Sequence, residues 1–98
     1  MSGTSPSSAD LDPRRRRLLY RVWHRGMREM DLLIGGFADA RLPGLNDHQL
    51  DLFEALCEQQ DQEILSWIVG SVPVPAAFDT EIFRDLKAFH DHAQPINR

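Results

Sequence analysis

Apolar residues recur at intervals of three and four along most of this chain, and this spacing restricts it to a helical fold. A helix turns by about 100° per residue, so residues three or four apart lie on one face. The pattern is fullest from Pro13 to about Met30, where Asp12 followed by Pro13 is typical of a helix start. No stretch alternates apolar and polar residues as a half-buried strand does. The sequence therefore predicts an all-α fold.

Four further apolar stripes each follow a residue suited to cap a helix. The expected caps are Asp31, Asn46, Asp61 and Asp79. The stripes are Leu33, Ile34 and Phe37; then Leu50, Phe53, Leu56 and Cys57; then Ile64, Leu65, Trp67, Ile68 and Val69; then Ile82, Phe83, Leu86 and Phe89. Gly70 is placed to end the fourth helix and Pro95 the fifth. Short connections between five amphipathic helices predict a compact five-helix antiparallel bundle over residues 13–94. Residues 1–12 and 95–98 would be tails, the first disordered because it is rich in Ser, Gly and Pro.

Charge is divided unevenly along the 98 residues, which suffice for one domain. The bases from Arg14 to Arg28 have no acid among them, whereas the chain from Glu29 onward is mostly acidic, and the net charge is −4. Such an asymmetry steers a partner with complementary patches. The single Cys57 cannot form an internal disulfide, and no apolar run is long enough for membrane insertion.

Residues Arg25, Gly26 and Glu29 form the most informative constellation within the predicted first helix. Arg25 and Glu29 are four residues apart, so a helix would place them side by side, with the bare backbone of Gly26 next to them. A naked backbone patch beside fixed charges suits close approach by another protein. Two simpler interpretations stay open: an ordinary surface ion pair, and a glycine that admits a bulky core residue such as Trp67 or Phe53.

Residues 25–31, Arg-Gly-Met-Arg-Glu-Met-Asp, resemble the Arg-Gly-x-x-Glu signature of the succinate dehydrogenase assembly factor family, the SdhE-type flavinylation factors. Residues 17–20, Arg-Leu-Leu-Tyr, are similar to the opening helix of that family. Residues 61–68, Asp-Gln-Glu-Ile-Leu-Ser-Trp-Ile, are similar to its acidic turn and following helix. The resemblance extends over about residues 17–90.

The resemblance implies an assembly factor, not an enzyme. Members bind the flavoprotein subunit of succinate dehydrogenase and promote covalent attachment of FAD to a histidine of that subunit. The FAD then belongs to the partner, and this chain would hold no cofactor tightly. The expected partner-binding residues are Arg25, Gly26, Glu29, Met27 and Asp31, with Arg17 and Arg21 as electrostatic contacts.

The resemblance also implies an oligomeric state, a cellular compartment and a further client. We expect a monomer when free, in the bacterial cytoplasm or, in a eukaryote, the mitochondrial matrix. The fumarate reductase flavoprotein is a further candidate client.

Other functions have weaker support in the sequence. The Arg14–Arg17 cluster favours a nucleic-acid-binding domain as the alternative, because successive arginines contact phosphates. No nucleophile and base are spaced for catalysis. His90 and His92 are two residues apart, so on a helix they point to different sides and do not chelate one metal ion.

Overall fold

The computed structural model describes residues 11–93, and that range contains five α-helices and no strand. The helices are α1 (Pro13–Trp23), α2 (Arg28–Arg41), α3 (Asp47–Cys57), α4 (Asp61–Val69) and α5 (Glu81–Ala93). The prediction of an all-α fold is thereby confirmed. Of the predicted tails, residues 1–10 and 95–98 lie outside the described range, while Leu11 is buried. The described chain divides into a first unit, residues 11–47, and a second unit, residues 48–93.

The first unit is built on the packing of α1 against α2. Each helix buries most of the stripe that its spacing predicts, although Trp23 and Leu33 stay half-buried. Burying one aliphatic side chain is worth roughly 1.5–3 kcal/mol. The buried apolar side chains of this unit are Leu11, Leu18, Leu19, Val22, Met30, Ile34, Phe37, Ala38, Leu42 and Leu45. A 3-10 turn over Leu42–Gly44 follows α2.

Gly35 lets the Trp23 side chain of α1 lie directly against the backbone of α2. A Cβ atom built on Gly35 would lie 2.4 Å from Cε2 of Trp23, closer than real Cβ contacts come. The Trp23 indole therefore occupies the space that any side chain at position 35 would need. Trp23 Nε1 also donates a hydrogen bond to Asp39 Oδ1 at 3.3 Å, which fixes the orientation of the ring.

Arg15 joins the start of α1 to the end of α2. Its Nε donates to the Leu42 carbonyl at 3.1 Å, a terminal nitrogen donates to the Leu45 carbonyl, and another pairs with Asp12 Oδ1 at 2.7 Å. Arg15 thereby adds side-chain hydrogen bonds to two carbonyls that follow α2, and the Leu42 carbonyl also accepts from the Leu45 backbone N–H at 3.2 Å. The same contact holds the pKa of Asp12 below its ordinary value, because the Arg15 hydrogen bond favours the carboxylate.

The prediction of one continuous helix from Pro13 to Met30 is wrong. The backbone leaves the helix after Trp23 and re-enters it at Arg28. The apolar spacing misleads here because Met27 and Met30 keep the helical period across the break, although Met27 is only half-buried. The predicted cap of the second helix is wrong as well, since Met27 occupies the N-cap position of α2 and Asp31 lies in its first turn.

The second unit contains most of α3, together with α4 and α5, and α4 packs against α5. The α3 stripe is confirmed, because all four of its predicted residues are buried. Gly70 ends α4 in the left-handed conformation with φ +86°, as predicted. Lys87 Nζ of α5 donates to the Ile68 carbonyl of α4 at 2.5 Å, and Trp67 stacks on Phe78 with ring centroids 5.5 Å apart.

Two predicted caps in the second unit are displaced by one residue. Gln60, not Asp61, is the N-cap of α4. The α5 cap is Thr80 instead of Asp79, because Thr80 Oγ1 accepts a hydrogen bond from the Phe83 backbone N–H at 3.3 Å. Asp79 instead pairs with Arg84 at 2.9 Å.

Candidate functional site

A four-residue loop, His24 to Met27, separates α1 from α2 and carries the core of the signature motif. Gly26 has φ +98°, a backbone conformation that L side chains rarely adopt. The residue is exposed, and no heavy atom lies within 4 Å of the position that a Cβ would occupy. The loop therefore presents bare backbone to the surroundings, and the glycine is required by backbone geometry.

Asp31 holds this loop in place. Its Oδ1 accepts a hydrogen bond from the backbone N–H of Arg25 at 2.9 Å, across the turn. The Asp31 backbone N–H donates to the Met27 carbonyl at 2.9 Å, which is the first helical bond of α2. Asp31 thus fixes the loop on both sides of Gly26, and its carboxylate also lies where the positive end of the helix dipole favours it.

Arg25 and Glu29 do not form the side-by-side helical pair that the sequence predicts. Arg25 lies in the loop and is half-buried, whereas Glu29 lies in the first turn of α2 and is exposed. The loop therefore positions the Arg25 charge and α2 positions the Glu29 charge, with the left-handed Gly26 between them in the chain. The prediction of a shared helical edge is wrong, although all three residues belong to one short loop and helix start.

The packing interpretation of Gly26 is also wrong. Nothing in the described chain lies close enough for that glycine to make room for it. The glycine that admits a bulky neighbour is Gly35, under the Trp23 indole. Gly26 is therefore open and conformationally special, which leaves its backbone accessible to another molecule.

The exposed face of α1 leads directly into the loop. Arg17 and Arg21 are exposed on it, four residues apart, so both electrostatic candidates lie on one side of the helix. Tyr20 stacks on His24 with ring centroids 4.0 Å apart, and Nδ1 of His24 lies 2.7 Å from the Tyr20 carbonyl. Because that carbonyl accepts, Nδ1 carries the proton, and Nε2 is left for an outside partner.

Three features near the loop were not anticipated from the sequence. The Tyr20–His24 stack has a detectable signal, the spacing of four residues on a helix. The packing of Trp23 on Gly35 has none, because it joins residues of two different helices. The helix break has a signal in Gly26 itself, since glycine is the usual residue just after a helix end.

The loop and the helix ends beside it expose backbone, charged side chains and aromatic rings. Among residues 11–93, no three His, Cys, Asp or Glu side chains are grouped to hold a metal ion. Within the same range, no helix combines the length and the apolar character that crossing a bilayer demands. What the loop supplies is an accessible backbone segment, fixed charges and neighbouring aromatic rings.

Comparison with known proteins bears out the resemblance that the sequence suggests. Residues 16–90 match the Sdh5 family, described as flavinator of succinate dehydrogenase. The matched segment contains α1 from its second turn, the loop, and all of α2, α3 and α4.

Individual relatives cover most of the chain. A protein of Acetobacter pasteurianus named FAD assembly factor SdhE is 36% identical over 94 residues, covering 87% of this chain and 86% of that protein. The mitochondrial succinate dehydrogenase assembly factor 2 of Dictyostelium discoideum is 37% identical over 88 residues, or 90% of this chain. The mitochondrial assembly factor 2-B of Drosophila melanogaster is 36% identical over 90 residues. This chain spans 62% of the Dictyostelium protein and 58% of the Drosophila protein.

Proposed function

This chain belongs to the Sdh5 family, the flavinators of succinate dehydrogenase, and we propose that it binds the flavoprotein subunit of that enzyme and promotes covalent attachment of FAD to it. The observation that carries the proposal is the open, left-handed Gly26 in a loop fixed by Asp31, between Arg25 and Glu29. A rigid loop loses little conformational entropy on binding, so more of its contact energy appears as affinity.

The chain acts through positioning. It has no flavin of its own in this proposal; the FAD and the histidine that it modifies both belong to the flavoprotein subunit. Binding to one conformation of that subunit raises the population of that conformation. If flavin and histidine are aligned in it, the intramolecular bond forms faster because the orientational entropy has already been lost.

The residues have distinct roles in this proposal. Gly26 lets the partner approach the backbone, while Arg25 and Glu29 supply charges that select the register of docking. Asp31 is a positioning residue, and Met27 begins α2 next to the loop. Arg17 and Arg21 are exposed on the α1 face that leads into the loop, where they add long-range attraction to acidic groups of the flavoprotein.

Flavin fluorescence in a denaturing gel tests the proposal, because only covalently bound flavin survives the gel. The flavoprotein subunit is expressed with wild-type chain, without it, and with Glu29→Gln. We expect strong fluorescence only with wild type. Equal fluorescence in the absence of this chain would overturn the proposal.

Glu81→Gln is the matched control for Glu29→Gln. Both glutamates are exposed and lie in the first turn of a helix, so each substitution removes the same favourable interaction with the helix dipole. Both variants should have a lower free energy of unfolding than wild type, by about the same amount, roughly 0.3–1 kcal/mol. Only Glu29→Gln should lower the flavin signal.

Client range and setting follow from the same proposal. We propose that the free chain is a monomer, that the fumarate reductase flavoprotein is a second client, and that the chain works where these subunits acquire FAD. That place is the cytoplasm in a bacterium and the mitochondrial matrix in a eukaryote. Repeating the gel assay with the fumarate reductase subunit tests the client range, and light scattering after size exclusion tests the monomer.

Nucleic-acid binding is the less favoured function. Arg15 is engaged inside the chain by Asp12 and by the Leu42 and Leu45 carbonyls, so the four-arginine cluster is not a free phosphate-binding strip. A salt-sensitive gel shift of duplex DNA would favour nucleic-acid binding. We expect no shift at physiological salt.

A further inference from the structure

Large apolar side chains are exposed at four places in the described chain. They are Tyr20 at 65% exposure, Leu32 at 55%, Val69 at 55% and Val72 at 46%. Single exposed apolar residues are common, so position decides whether one carries meaning. Both of those in the first unit, Tyr20 and Leu32, lie close in sequence to the His24–Met27 loop.

Leu32 lies on the face of α2 opposite the buried stripe. Glu29 is three residues before it and Gly36 four residues after it, so both are its neighbours on the helix surface. The α2 residues that point the other way, Met30 and Ile34, are fully buried. Leu32 therefore contributes little to the core of this chain and stands beside the carboxylate of the signature motif.

The surface around Leu32 continues toward a half-buried indole. Gly35, three residues after Leu32, is covered by the Trp23 ring, and the Trp23 Nε1 bond to Asp39 fixes that ring. Neighbours three apart on a helix lie on adjacent turns of one side. The Trp23 ring that covers Gly35 therefore lies about one turn of α2 from Leu32, and we call Leu32 together with this ring the Leu32 strip.

Charges surround the Leu32 strip at its loop end. Arg28 and Glu29 are exposed in the first turn of α2, and Arg25 precedes them in the loop. An apolar centre with charged residues at its edge is the usual composition of a protein interface, where one or two buried anchors carry most of the affinity. A lipid surface would favour a wider apolar face and uniformly basic flanks, which Glu29 and Asp39 do not provide.

We propose that Leu32 is the apolar anchor by which this chain docks on the flavoprotein subunit, entering an apolar depression that lies next to a basic group paired with Glu29. This inference rests on the proposed function and extends its docking surface from the loop along α2. The signature motif then sets the register of docking, and Leu32 supplies the larger part of the buried apolar area.

Affinity for the purified flavoprotein subunit of the same organism tests the anchor, measured by biolayer interferometry with the full chain. Leu32→Ala should raise Kd roughly tenfold, and Leu32→Asp more, because a carboxylate would be buried without a partner. Leu32→Met should bind close to wild type, since the volume is kept. All three should keep the helical circular dichroism of wild type, because the Leu32 side chain is exposed.

Val69→Ala and Val69→Asp are the matched controls. Val69 is as exposed as Leu32, also lies on a helix, and belongs to the second unit, with no charged residue among its immediate chain neighbours. Neither Val69 variant should change Kd by more than about twofold, well below the tenfold expected for the anchor.

The outcomes separate the anchor from the proposed function. No binding by wild type would overturn both. If Glu29→Gln weakens binding and Leu32→Asp does not, the anchor is overturned and the proposed function stands. An equal loss with Val69→Asp would also overturn it, because the effect would then belong to any exposed apolar residue.

Discussion

Replacing Gly26 by alanine should destabilise this protein, although a helical Gly26 would predict the opposite. The structure puts Gly26 at φ +98°, and nothing within 4 Å would touch the new Cβ. The cost is therefore backbone strain alone, roughly 1–2 kcal/mol for an L residue in the left-handed region. Alanine also restricts the unfolded chain, which offsets about 0.4–1 kcal/mol. The expected net loss is about 1 kcal/mol, or a Tm lower by roughly 4–8 °C.

Thermal unfolding followed by circular dichroism measures this loss, and two other glycines calibrate it. Gly44 is as open as Gly26 but lies outside the positive-φ region, so Gly44→Ala should be neutral or slightly stabilising. Gly70 has φ +86° and open space, so Gly70→Ala should lose about as much stability as Gly26→Ala, roughly 1 kcal/mol. A Gly26→Ala variant as stable as wild type, or more stable, would refute the left-handed loop.

The same pair of variants separates strain from docking. Gly70→Ala and Gly26→Ala carry similar strain, but only Gly26 lies in the proposed docking loop. Covalent flavin on the partner should therefore fall with Gly26→Ala and stay near wild type with Gly70→Ala. Equal yields from both would mean that the loop glycine has a folding role only.

Four other substitutions test contacts within the first unit. Gly35→Ala should lower the free energy of unfolding, measured in urea, by about 1–2 kcal/mol, because overpacking against the Trp23 ring outweighs the gain in helix propensity. Adding Trp23→Phe to that variant should restore part of the lost stability. Asp31→Ala should cost about 1 kcal/mol by the same assay, because the loop loses its side-chain hydrogen bond. The hydrogen bond from Arg15 lowers the pKa of Asp12 in the folded protein. Above the ordinary pKa of 3.8, the ionised Asp12 therefore stabilises the fold. This stabilisation is lost as the pH falls through the lower folded-state pKa. Asp12→Asn should therefore show a smaller fall in Tm on acidification below about pH 4 than wild type does.

The α3 stripe could be predicted because burial follows the helical period, whereas in the predicted α4 stripe Leu65 is half-buried and Val69 is exposed. All four residues expected on the face of α3 are buried, and the sequence also places Gly70 correctly at the end of α4. Caps were less predictable: Gln60 and Thr80 take positions expected for their neighbours Asp61 and Asp79. At α5 the hydrogen bond from the Phe83 N–H to Thr80 Oγ1 distinguishes Thr80 from its neighbour, whereas Gln60 begins α4 without a side-chain cap bond.

The loop could be located from its motif, but its conformation could not be predicted from the apolar spacing. Met27 and Met30 continue the period of α1, so the spacing alone gives no sign that the helix stops. The Trp23 contact with Gly35 and the Asp31 bond to Arg25 hold the two helices and the loop together, and the apolar spacing shows neither of them. The motif residues were therefore identified together but assigned to the wrong element.

Amide hydrogen exchange, with and without the flavoprotein subunit, tests most directly whether the His24–Met27 loop is the docking site. Peptides that cover residues 20–32 should exchange more slowly in the complex, while peptides over residues 66–75, which include the exposed Val69 and Val72, should be unchanged. Protection of residues 66–75 with none at residues 20–32 would contradict the assignment of the docking surface.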